Sequence, residues 1–220
     1  HEAQGEITAF HTTPSIDAVA GEAAASYVMK TDGKSVPLLD KYNRTILFIK
    51  PELVIVFDRM EARSPASFQY WLHAVNEFQA PDQRHIVTET GDVRCHVDLL
   101  WPTDLRLTQT DQYDPNPWDQ IKTREWHLTA TTSGKQQEVQ FVGLYRPEKA
   151  GDQVPKQADL RQVDGGFVLT AKISDGSVVA LLPTKTNAKI SSNGLTTTGS
   201  VIVQRVDPDG IVMETVDVGR

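Results

Sequence analysis

A single cysteine, Cys95, among 220 residues leaves no intramolecular disulfide and no cysteine-built metal site. Basic charge is scarce as well. The 22 Lys and Arg stand against 29 Asp and Glu, a formal net charge of −7, so no basic surface for nucleic acid or an anionic membrane is expected. No apolar run approaches the roughly 20 residues of a membrane-spanning helix. No window of about eleven residues carries a 3.6-residue apolar stripe, so long helices are not expected either. Motifs of several enzyme classes are missing: there is no HExxH, no Gly-x-Ser-x-Gly elbow and no phosphate-cradling loop, since Asp164-Gly165-Gly166 reads as a turn. The chain opens at His1 with neither an initiator methionine nor a charged-then-apolar leader, which reads as a mature chain or a fragment.

What the sequence does contain is alternation. The clearest unit is Thr45–Lys50, Pro51 and Glu52–Asp58, two runs of Ile, Val, Leu and Phe around a proline that cannot donate to a ladder. It reads as a central hairpin, and because both faces of each run are apolar, both faces should be covered. In Ser67–Phe78, Phe68, Tyr70, Leu72 and Ala74 alternate with Gln69, Trp71, His73 and Val75. Further strand candidates run through His85–Thr90, Val93–Leu100, Leu105–Gln109, Arg124–Thr131, Glu138–Tyr145, Gly166–Ile173, Ser177–Pro183, Lys189–Ser192, Gly199–Val206 and Ile211–Val216. Asp175-Gly176 and Asp209-Gly210 supply hairpin turns. The expected fold is all-β, an antiparallel β-sandwich of about 12 strands with essentially no long helix, in one domain spanning residues 1–220. Arg146–Gln162 reads as a long surface loop, and Gly21–Tyr27 as at most a helical turn.

Candidate chemistry is sparse. The six histidines form no metal-ligand spacing; His73 and Glu77 share a strand face but lie about 13 Å apart, too far for one metal. His96 and His127 sit opposite Cys95 and Trp126 on their strands and are expected to face solvent. Trp71 and Trp126 are expected in the core, where aromatics supply the largest buried areas. Trp118, in the polar, proline-rich Asp111–Gln120 segment, is a candidate for stacking on a sugar ring.

Read in order, Gly21–Tyr27, Tyr42–Ala62, Pro65–Phe78, Val97–Gln109 and Val139–Pro147 resemble the C-terminal β-sandwich region of heparinase II/III-like polysaccharide lyases. The likeness lies in a Gly-Glu-Ala…Tyr segment, an arginine-led hairpin with a Lys-Pro tip and a terminal Asp, and a strand ending in Leu-His. The resemblance implies a parent that cleaves uronic-acid-containing polysaccharide by β-elimination, with most catalytic groups on an α-helical toroid preceding the sandwich. This chain, as the C-terminal part of a longer protein, would support that toroid and line the substrate cleft without catalysing alone. His73 would correspond to a histidine that in some relatives joins an upstream histidine and aspartate around zinc. Zinc is thus expected only in a longer parent, and no cofactor in this chain. Partners would be an acidic glycan and the toroid, and the location periplasmic or extracellular. A −7 chain meeting a polyanion needs local basic groups, for which Arg44, with Arg59 and Arg63 around the hairpin, is the candidate. The alternative is a non-catalytic carbohydrate-binding or structural module of a secreted protein, which requires exposed, coplanar tryptophans among Trp71, Trp101, Trp118 and Trp126.

Overall fold

The computed structural model describes residues 4–112 and 125–219. Along the chain the strands are β1 (Glu6–Thr12), β2 (Ile16–Glu22), β3 (Val28–Thr31), β4 (Lys34–Pro37), β5 (Leu39–Ile49), β6 (Leu53–Ala66) and β7 (Gln69–Ala74). There follow β8 (His85–Thr90), β9 (Val93–Trp101), β10 (Leu105–Thr110), β11 (Trp126–Thr132), β12 (Gln136–Lys149) and β13 (Ala158–Val163). The last are β14 (Gly166–Ile173), β15 (Gly176–Pro183), β16 (Lys189–Ser192), β17 (Leu195–Thr198), β18 (Ile202–Val206) and β19 (Val212–Asp217). The expected all-β class holds, and the Gly21–Tyr27 piece yields only a 3-10 turn at Ala24–Ser26.

The sandwich has three layers. A central antiparallel sheet in the order β1-β2-β5-β6-β12-β9-β8 is covered on one face by β13-β14-β15-β18-β19 and on the other by β10-β11-β7. Alternation on the central strands decides which core each side chain enters. On β6, Ile55 and Phe57 join Leu169, Ala180 and Val203 in the first core, while Val56 joins Leu105, Leu128 and Ala130 in the second. On β12, Val142 and Leu144 face the first core, and Val139 and Phe141 the second. Each such fully buried Leu, Ile or Phe contributes about 1.5–3 kcal/mol. The β5–β6 hairpin is therefore central with both faces covered, as its unbroken apolar runs require.

Three expectations are corrected. The strands number nineteen among the described residues rather than about twelve. The additions include β1, β3 and β4, whose side chains are largely exposed and so lack a one-sided apolar pattern. The Arg146–Gln162 loop shrinks, because β12 runs on to Lys149 and β13 begins at Ala158. His96 and His127 are buried at 7% and 4% exposure. Each histidine lies on the expected face of its strand, but neighbouring side chains cover it from solvent. His96 lies on the central-sheet side that faces the five-stranded sheet, and Trp71 and His73 crowd over His127 from the neighbouring strand.

Candidate functional site

Strand β7 is an edge of the three-stranded sheet, and its two faces carry different chemistry. Tyr70 points into the second core, while Gln69, Trp71 and His73 point outward. Antiparallel pairing with β11 sets His73 opposite His127 and Trp71 opposite Thr129. Trp71 is 50% exposed rather than buried in the core, because its side of the sheet has no covering layer among the described residues. Its ring lies 6.2 Å from that of His73 at an interplanar angle of 21°, and His73 stacks on His127 at 5.2 Å. Glu125 Oε2 stands 3.9 Å from His73 Nδ1.

The other tryptophans do not extend this patch. Trp101 packs on Phe167 against the first core and Trp126 against the second, so the two sit in different interlayers. A coplanar set is not formed among the described residues, and Trp118 lies outside them. The residues around His73 also do not fit zinc: no three His, Cys, Asp or Glu among the described residues are grouped to hold a metal ion. The two imidazoles lie face to face, with a single carboxylate nearby.

Arg44 lies on the inner side of β7. It sits on β5 directly opposite Asp58 on β6, and its Nε and Nη2 donate to the two carboxylate oxygens at 2.7 Å each. The guanidinium lies over the rings of Tyr42 and Tyr70, 5.7 and 5.5 Å from their centroids. The hydroxyls of Tyr70 and Tyr145 share a short hydrogen bond. Asp58 is wholly buried. Hydrogen bonding to Asp58 holds the Arg44 proton more tightly than in an ordinary guanidinium. Burial pushes the phenols of Tyr42, Tyr70 and Tyr145 upward, so at neutral pH all three are hydrogen-bonding groups and not phenolate bases. Two of the five N–H groups of Arg44 are spent on Asp58; the others remain for an anionic group, on a side chain 42% exposed.

The three hairpin arginines do not form one cluster. Arg59 adjoins Asp58 on β6 and points to the opposite face of the sheet from Arg44, and Arg63 pairs with Asp40 through a 2.8 Å contact. A polar chain that the sequence reading missed runs across β8, β9 and β12. Asp98 Oδ1 contacts His85 Nδ1 at 2.7 Å, His85 Nε2 lies 3.4 Å from His96 Nδ1, and His96 Nε2 is 3.0 Å from Glu148. Buried Arg146 donates to Asp98 at 3.0 Å. The available signal was the placement of His96 and Asp98 two apart on one strand, hence on one face.

This architecture is a heparinase III-like β-sandwich fold. Among the solved structures it matches is the "Heparinase III-BT4657 gene product", with a TM-score of 0.57 and 11% identity over 92% of this chain. Another is the heparan sulfate lyase HepC from Pedobacter heparinus, with a TM-score of 0.55 and 16% identity over 82% of the chain. A third, titled heparinase III, gives 0.53 and 10% identity over 93% of the chain. In each case this chain spans 28% of the length of the matched structure. No protein-family model and no curated protein matches the sequence.

Proposed function

We propose that this chain is the β-sandwich domain of a polysaccharide lyase acting on an acidic, uronate-containing glycan outside the cytoplasm. It would support a helical catalytic domain and line the substrate cleft without catalysing alone. The observation that carries this reading is the fold likeness to heparinase structures, which covers most of this chain and less than a third of theirs. Two surface features agree with it. On the outer strand β1, Ile7 and Phe10 are 70% and 65% exposed, apolar area suited to a neighbouring domain. On the inner side of β7, away from the exposed Trp71–His73 pair, Arg44 offers N–H groups to a glycan carboxylate. His73 would serve as a zinc ligand only with partners supplied from outside the described residues.

The test compares the isolated chain with a longer protein in which it is joined to a helical catalytic domain. Both are offered heparan-type and other uronate polysaccharides, and the ultraviolet absorbance of unsaturated uronate product is followed. Product from the longer protein alone is the expected result; product from the isolated chain would overturn the reading. The exposure of Trp71 favours a second reading, a glycan-binding module that stacks a sugar on that ring. That reading requires the isolated chain to bind the same polymers and Trp71→Ala to abolish the binding.

A further inference from the structure

Six Lys and Arg side chains among the described residues are not exposed: Lys41, Arg44, Lys50, Arg59, Arg146 and Arg205. Four of them meet a carboxylate, Arg44 at Asp58, Lys50 at Asp17, Arg146 at Asp98 and Arg205 at Asp175. Lys41 and Arg59, the two without an ion pair, line one and the same cleft of about 320 Å³, formed by β5, β6 and β12 with the segment that follows β15. Withdrawing a cation from water without a counter-charge is costly, and placing a second cation beside it adds repulsion.

No carboxylate among the described residues lies within ion-pair distance of either cation. Arg59 Nη1 reaches only backbone carbonyls, Pro183 at 3.3 Å and Gly199 at 3.4 Å, and its buried Nε has no hydrogen-bond partner. Gly199 has a φ of +77°, and a Cβ there would meet Thr186 O at 1.9 Å, so this wall is close-packed backbone. Of the nearby carboxylates, Glu22 is occupied by the backbone N–H groups of Ala24 and Tyr42 and by Asn43 Nδ2. Glu138 contacts Lys185 at 3.4 Å. Glu61, opposite Lys41 in register, is exposed and makes no ion pair with it. Burial lowers the proton affinity of both cations and the charge of Arg59 lowers that of Lys41 further, while Glu61, Glu22 and Glu138 act in the opposite sense on Lys41, and Glu22 does so on Arg59. Gln140, Thr184 and Asn187 add neutral polar groups to the lining.

We propose that this cleft is a subsite for one oxoanion group, a carboxylate or a sulfate ester, held between Arg59 and Lys41. The volume lies at the small end of ligand sites, enough for one charged sugar. That the group belongs to an acidic glycan rests on the function proposed above; the oxoanion site itself does not. The cleft lies on the face of the central sheet away from Arg44, so the two arginines do not belong to one site.

The experiment titrates the 220-residue chain with inorganic sulfate and, separately, with a sulfated uronate oligosaccharide. It follows the Arg59 Nε–H resonance and measures affinity by calorimetry. Sulfate should shift that resonance saturably, and Arg59→Gln should weaken binding by at least about tenfold. Lys41→Gln should weaken it severalfold, while Arg63→Gln, exposed and paired with Asp40, should leave it unchanged. Circular dichroism checks that each variant is folded, and Lys41→Gln carries the test if Arg59→Gln does not fold. Absence of a saturable shift at Arg59, or unchanged affinity in both folded variants, overturns the site. Sulfate binding with no uptake of the oligosaccharide overturns the glycan as the source. Oligosaccharide binding that persists in both variants overturns the subsite while leaving the lyase-domain reading intact.

Discussion

Asp58 has no exposed surface, and both of its oxygens are engaged by Arg44. Removing the carboxylate would leave a half-buried guanidinium facing two aromatic rings with no counter-charge. Asp58→Ala should therefore destabilise the chain by about 2–3 kcal/mol, below the full cost of breaking a buried pair because Arg44 retains contact with water. Urea unfolding should show a lower midpoint with an unchanged slope, and an unmoved midpoint would refute the assigned strength of the pair. The same residues mark how far side-chain roles were legible in the sequence. Arg44 and Asp58 could be placed at the two ends of a hairpin, yet their direct opposition depends on register, which a run of apolar residues on both faces does not fix. Trp71 is exposed where the core is expected, since alternation gives it a face but not whether that face is covered.

The hairpin tip between β5 and β6 shows how an element is fastened to its neighbours. Lys50 Nζ donates to Asp17 on β2 at 2.7 Å and to the carbonyl of Thr13 at 2.8 Å, tying the tip to the β1–β2 turn. Hydrogen bonds from Lys50 and then Thr12 lower the Asp17 pKa below its ordinary 3.8. A carboxylate depressed in the folded state adds stability above its unfolded pKa, and that stability is lost as pH falls through the lower folded value. In a carbon-detected pH titration, Asp17 should titrate below the usual aspartate range in the wild type and return toward it in Lys50→Gln. Equal midpoints in the two proteins would show that the contact is not held in solution. Strands with at least one dry face are legible in the sequence, and β14 and β16 match their expected bounds. β3 and β4 were not, because a hairpin exposed along nearly its whole length carries no period-two signal.

At the scale of the whole molecule, the central sheet belongs to both cores. Strand β6 sends Ile55 and Phe57 into one and Val56 into the other, and β12 divides Val142 and Leu144 from Val139 and Phe141 in the same manner. Losing either outer sheet would expose an apolar face of strands whose other face still packs, so each core depends on central strands that the other also uses. We therefore expect residues 1–220 to unfold as one cooperative unit, despite a length at which separate domains become common. Leu169, fully buried in the first core, and Leu128, buried in the second, provide the test, since each Leu→Ala should remove about 2–5 kcal/mol. Trp101 packs on the first core and Trp126 on the second, so tryptophan fluorescence samples both, and far-ultraviolet dichroism reports the strands as a whole. Each variant should lower a single denaturation midpoint on which both probes coincide. If either substitution instead splits the transition, leaving one core folded while the other melts, the shared sheet does not couple them and the chain comprises two domains.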